Sequence, residues 1–148
     1  MAHPTTLPYF VDTNVLVYAR DVRDASKQEA AERWLRTLWA AHSGRVSVQV
    51  VSEYYRVVTE KLKPGLDRAE ARADVYSLMV WRPLPVDRAV IEGAWIVQDR
   101  HGLSWWDSLI VSAAQMAGCA YLLTEDLEHE RLFDGVRVID PFRTAPPS

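Results

Sequence analysis

The chain has 148 residues, of which 49% are hydrophobic and 25% charged, and its formal net charge is −3. These values predict a single globular domain and exclude a disordered chain or one that grips nucleic acid by bulk positive charge alone. The single cysteine, Cys119, excludes an internal disulfide and a thiolate-rich zinc site and fits a reducing, cytoplasmic compartment, while no secretion signal and no membrane-length apolar run is present.

The elements alternate between strand and helix, which predicts a parallel sheet covered by helices. A short leader, residues 1–8, holds Pro4 and Pro8. The first strand is expected over residues 9–11, and a helix starts at about Thr13. A second helix is expected over residues 25–41, with Ala30, Trp34, Leu38 and Ala41 on its apolar side and Gly44 closing it. Residues 46–48 read as a strand. The helix after them carries Val50, Val51, Tyr54, Val57 and Val58 and runs to about Lys63, where Pro64 and Gly65 stop it. Asp67 caps a helix to about Val80, a short strand lies near Leu84, and Asp87 caps a helix ending at Gly102. Ser104 caps the next helix, residues 105–117, which Gly118 ends. Buried strands are expected over residues 120–123 and 136–139, and a short tail covers residues 143–148. The strand order does not follow from the sequence.

In open α/β sheets, ligands bind beyond the C-terminal ends of the strands. Asp12 directly follows an apolar strand in FVDTN, and Asp126 follows another in YLLTED, so both belong to one sheet edge. Taken alone, Asp12 is equally well a helix N-cap and Asp126 a loop residue, with Glu125 as a rival to Asp126. Asp107, three residues after Ser104, projects from a helix N-terminus, where the dipole favours an ionised carboxylate; it also reads as part of a capping box. Glu53 sits at the edge of the stripe formed by Val50 and Val57, so it is partly buried; a salt bridge with Arg56 is the alternative. Two carboxylates about 4 Å apart repel by roughly 4 kcal/mol at an effective dielectric near 20. Several in one cleft therefore shift their pKa values or gather a hard cation such as Mg²⁺ or Mn²⁺.

The segments FVDTNVLVYARD, SVQVVSEYYRVV, GLSWWDSLIVSAAQMAGCAYLLTEDL and GVRVIDPF resemble the PIN-domain family, and within it the VapC-type toxins of bacterial toxin–antitoxin modules. The resemblance spans residues 9–142. It implies a compact α/β/α sandwich with a central, mainly parallel sheet. It also implies an endoribonuclease dependent on Mg²⁺ or Mn²⁺ that cleaves RNA phosphodiesters through a metal-activated water, usually as a homodimer with a cognate antitoxin. The four family acids fall on Asp12, Glu53, Asp107 and Asp126, which makes these the expected metal-binding and catalytic residues. Thr13 and Asn14, beside the first acid, match its supporting positions.

Two other readings stay open from the sequence. One is a non-catalytic RNA-binding module of the same fold. The other is a phosphatase of the haloacid-dehalogenase type, although that chemistry needs a second acid where Asn14 stands. Arg20 and Arg23 are candidates for contact with RNA phosphates, weighed against charge pairs with Asp21 or Asp24. Trp34, Trp39, Trp81 and Trp95 read as core, Trp106 joins the stripe of Leu109, Ile110 and Ala113, and Trp105 edges the site or a subunit contact. His101 reads as a helix-end cap and Cys119 as core.

Overall fold

A computed structural model describes residues 7–147. Most of the expected leader, including Pro4, lies outside the described residues. Five strands form one sheet: β1 (Tyr9–Val11), β2 (Gly44–Arg45), β3 (Tyr121–Leu123), β4 (Leu132–Phe133) and β5 (Val136–Ile139). Their order is β2-β1-β3-β5-β4; all neighbours are parallel except β4, which runs antiparallel at one edge. Tyr9, Phe10, Leu122, Leu123, Val138 and Ile139 are buried, as expected of strands covered on both faces.

The helices are α1 (Thr13–Tyr18), α2 (Ala25–Ala40), α3 (Val48–Arg56), α4 (Arg68–Leu78), α5 (Arg88–His101) and α6 (Trp105–Met116). The caps expected at Asp67, Asp87 and Ser104 are present: each side chain accepts a hydrogen bond from the N–H three residues on, at 2.8, 3.1 and 3.2 Å. Among the described residues, no helix is long and apolar enough to cross a membrane.

Several expectations are corrected. The strand placed at residues 46–48 is instead Gly44–Arg45, and Val48 already belongs to α3. The reason is Ser47, whose side chain accepts from the Val50 N–H at 3.2 Å and so starts the helix earlier than the valines suggest. The strand near Leu84 shrinks to a single bridge with Ser47. The helix expected to reach Lys63 is α-helical only to Arg56 and continues as one π-helical turn, Val57–Lys61. Trp34 and Trp81 are buried, but Trp39, Trp95 and Trp106 are exposed. On α5 the buried face is Val90, Ala94 and Val97, which turns Trp95 outward. Trp105, not Trp106, packs partly against the core.

Trp81 closes a 3₁₀ turn, Met79–Trp81, and its indole lies over Gly44. A Cβ on Gly44 would stand 2.3 Å from that ring. Gly44→Ala is therefore expected to destabilise the fold by about 1–3 kcal/mol, the usual cost of overpacking, as read by chemical denaturation. An unchanged midpoint and slope would show that the ring gives way freely.

Candidate active site

From β1 the chain crosses to β2 on one side, and β3 lies on the other. The crevice beyond these strand ends is where a doubly wound sheet accepts a ligand. Val11 is level with Leu123, and Leu123 with Ile139. The ladder extends one step further, through Asp12 N–H to the Leu123 carbonyl at 3.0 Å and Thr124 N–H to the Ile139 carbonyl at 3.1 Å. Asp12 and Thr124 are thus fixed side by side by the backbone.

Asp12 is only 7% exposed. Its Oδ1 accepts from the Thr13 N–H at 2.7 Å, so the capping alternative also holds. Its Oδ2 accepts from the Thr124 hydroxyl at 2.9 Å and from the Asn14 amide at 3.3 Å. The same Asn14 Nδ2 donates to Asp126 Oδ2 at 2.9 Å and to Thr124 Oγ1 at 3.1 Å. Thr124 is fully buried and also accepts from the Asp126 N–H at 3.1 Å. A single hydroxyl therefore ties the first acid to the fourth.

Burial pushes the Asp12 carboxyl up to about 7, against the pull of its bonds to Thr124 and Thr13; the negative charges of Asp126 and Asp107 add to the rise. The Asp126 carboxyl is also raised, first by desolvation and then by Asp107 and Glu125, with Asn14 opposing. These three acids share one electrostatic environment. Glu53, half-buried on α3, joins through Thr13, whose hydroxyl donates to it at 3.3 Å; the Gln49 amide donates at 3.4 Å. The alternative partner, Arg56, faces Glu60 instead, at 3.7 Å.

Glu125 is engaged by a cation instead. Lys27 Nζ binds it at 2.7 Å and lies over the rings of Tyr18 and Phe142 at 4.7 and 5.0 Å. Arg20 is engaged elsewhere: its guanidinium grips Asp74 of α4 at 2.6 and 2.9 Å, and the Tyr54 hydroxyl donates to the same carboxylate. Arg23 pairs with Asp21 at 3.0 Å and lines a cavity of about 380 Å³ that also borders Thr13 and Asn14. His101 lies in the last turn of α5, 3.5 Å from Asp134, and Cys119 is buried, its thiol pushed up to about 12 by burial.

Among the described residues, no group of three His, Cys, Asp or Glu side chains is arranged to hold a metal ion. The donor set still fits a hard cation. Its ligands are all oxygens, and Asn14 Oδ1 is buried without a hydrogen-bond partner among the described residues. Mg²⁺ commonly takes only one or two carboxylates and keeps its waters.

Thr124 and Gln49 were not singled out from the sequence. The signal for Thr124 was available, since a threonine directly after an apolar strand and two residues before a candidate acid occupies the same sheet edge. Gln49 lies one helical turn before Glu53, on the same face.

A mainly parallel sheet with acids gathered beyond β1 and β3 defines a known class of α/β domain. The PIN domain family matches residues 9–133, and the chain belongs to it. No curated protein gives a significant sequence match. Similar solved structures include a toxin–antitoxin complex from Klebsiella pneumoniae, with 15% identity and a TM-score of 0.63 over 90% of this chain and 97% of that one. FitAcB from Neisseria gonorrhoeae is 19% identical, with a TM-score of 0.60 over 92% and 99%. Mycobacterium tuberculosis VapC20, described as a sarcin–ricin-loop-cleaving toxin, is 24% identical, with a TM-score of 0.59 over 77% and 86%. At these identities the likeness is one of fold.

Proposed function

We propose that this chain is a Mg²⁺- or Mn²⁺-dependent endoribonuclease and the toxin of a toxin–antitoxin pair, with Asp12, Glu53, Asp107 and Asp126 holding the metal. One observation carries the reading: Asp12 is buried at the sheet's ligand-binding edge, and its ionisation is opposed by Asp107 and Asp126. Such a carboxylate is costly to fold around unless a cation offsets it. When bound, the ion would supply positive charge against the phosphodiester and acidify a water.

The chain's own residues have distinct tasks in this scheme. Asp12 is the central ligand, with the Thr13 N–H and the Thr124 hydroxyl fixing the plane of its carboxylate. Asn14 spaces Asp126 from Asp12 by donating to both. Thr13 and Gln49 orient Glu53. Arg23, at the neighbouring cavity, is the better placed of the two arginines to meet a phosphate, because Arg20 is held by Asp74. The toxin reading draws support from the neighbours described as toxin–antitoxin assemblies and from VapC20. In this reading the chain forms one domain, acts in the cytoplasm, and works as a homodimer restrained by an antitoxin.

The test is RNA cleavage in Mg²⁺ or Mn²⁺ and in chelator, for wild type and Asp107→Asn. Cleavage is expected only with metal and should fall roughly a hundredfold or more in the variant. Full activity in chelator, or in a folded Asp107→Asn protein, overturns the proposal. Sequencing of RNA ends after brief induction would identify the target.

A further inference from the structure

The sheet end opposite the acids carries a second cavity. Its volume is about 500 Å³, and its lining includes Trp39, His42, Arg45, Trp81 and Arg82. The rest of the lining is apolar, and no described carboxylate belongs to it. The position follows from the topology: Gly44, at the start of β2, is level with Tyr9, at the start of β1, whereas Asp12 follows the end of β1. Ala117, also on the cavity, ends α6, the helix whose first turn carries Asp107.

His42 and Arg82 have left-handed backbones, with φ of 54° and 49°. Each stands just past a helical end, where glycine carries no steric penalty. At the ends of α5 and α6 the chain does use glycine, Gly102 and Gly118, with φ of 67° and 70°. Beyond α2 and the 3₁₀ turn it keeps a basic side chain instead, and both side chains border one cavity. A cation past a helix C-terminus complements the dipole, which accounts for Arg82 at its end. It does not account for the meeting of Arg82 and His42 with Arg45 beside a pair of indoles.

Arg45 Nη1 donates to the carbonyls of His42 and Gly44 at 3.1 and 2.8 Å, which fixes the guanidinium. The side chains of His42 and Arg82 make no hydrogen bond or ion pair among the described residues. Trp39 is 42% exposed and lies 5.4 Å from Trp81, tilted by 40°. Trp81 is itself seated over Gly44. A fixed cation, two further basic groups and a supported, open indole face form a site for an anion attached to a flat ring.

We propose that this cavity binds a nucleotide, its phosphate held by Arg45, Arg82 and His42 and its base against Trp39. The proposal stands independently of the nuclease reading, because it uses none of the acids. It differs from an ordinary phosphate site in requiring the ring.

The test is titration of wild type with AMP, with inorganic phosphate and with single-stranded hexa-adenylate, all in chelator, by calorimetry and tryptophan fluorescence. AMP or the oligonucleotide is expected to bind more tightly than phosphate, to change the fluorescence and to weaken with added salt. Binding of AMP points to a free nucleotide as the source, and binding of hexa-adenylate alone to a segment of a nucleic-acid chain. Arg82→Gly removes the charge while relieving the left-handed backbone. It should weaken binding on the order of tenfold or more, with an unchanged or higher melting temperature. Trp39→Leu should remove the advantage over phosphate. The proposal is overturned if neither AMP nor hexa-adenylate binds, if phosphate binds as tightly as both, or if Arg82→Gly binds like wild type.

Discussion

Replacing Asp12 by Asn is expected to abolish RNA cleavage and yet make the metal-free protein more stable above pH 7. The folded chain holds the Asp12 proton up to about pH 7, while the ordinary value for an aspartate is 3.8. Between these values the folded state binds more protons than the unfolded one, so stability falls as pH rises through the window. It is highest below about pH 4 and lowest above about pH 7 as far as this group is concerned. A shift of about three pH units corresponds to an upper bound of roughly 4 kcal/mol, and relaxation of the site would reduce it. An asparagine has no charge to desolvate, so the gap between variant and wild type should open as pH rises from 4 to 8. Denaturation in chelator at both pH values measures it. Equal stabilities at pH 8 would show that the buried carboxylate is not strained by its surroundings. Activity should fall by more than the roughly 10–100-fold that follows loss of an outer-shell partner. Mg²⁺ should stabilise the wild type and not the variant, since a ligand stabilises only the state that binds it.

Thr124→Val is the second large effect. The side chains are nearly equal in shape, so packing in this fully buried position is kept and the hydroxyl alone is lost. Asp12 then loses a donor, and Asn14 Nδ2 and the Asp126 N–H each lose an acceptor. A stability loss of about 1–3 kcal/mol is expected, the usual cost of stranding buried polar groups. The Asp12 carboxyl should rise further, because the Thr124 bond is one of the forces holding it down. Cleavage should drop by about 10–100-fold and recover in Thr124→Ser, which restores the hydroxyl. A Thr124→Val protein with wild-type activity would remove Thr124 from the site.

β1, β3, β5 and most helix limits were legible because they rest on local signals: apolar runs, capping side chains, and glycine past a helix end; β2 was misplaced, and the two-residue edge strand β4 was not read from the sequence at all. Strand order was not legible, because pairing such as Tyr9 with Tyr121 depends on contacts distant in sequence. Ser47 was overlooked because three flanking valines favour a strand, while one capping bond decides for a helix. The exposed tryptophans were misread for a related reason. Periodicity assigns a face, but it does not say where the covering layer ends, and Trp106 lies on an apolar stripe yet is 62% exposed. At the site, Asp12 and Asp126 could be placed on one edge from the strand ends alone. Their connection through Asn14 and Thr124 needed the register of β1 against β3. The freedom of Asp126 relative to Glu125 turned on Lys27, about a hundred residues away in the chain, which no local pattern reveals.

Asp12 and Thr124 are joined across 112 positions of sequence, whereas α5 and α6 meet across a short connection. During synthesis Asp12 emerges early with Thr13 and Asn14, while Thr124 and Asp126 emerge late. A chain made only as far as α6 can already pair α5 with α6, but it carries the first acid without the Thr124 hydroxyl that aims it or the fourth acid opposite. Under the nuclease reading proposed above, this order leaves the site incomplete until the segment that follows β3 has been made.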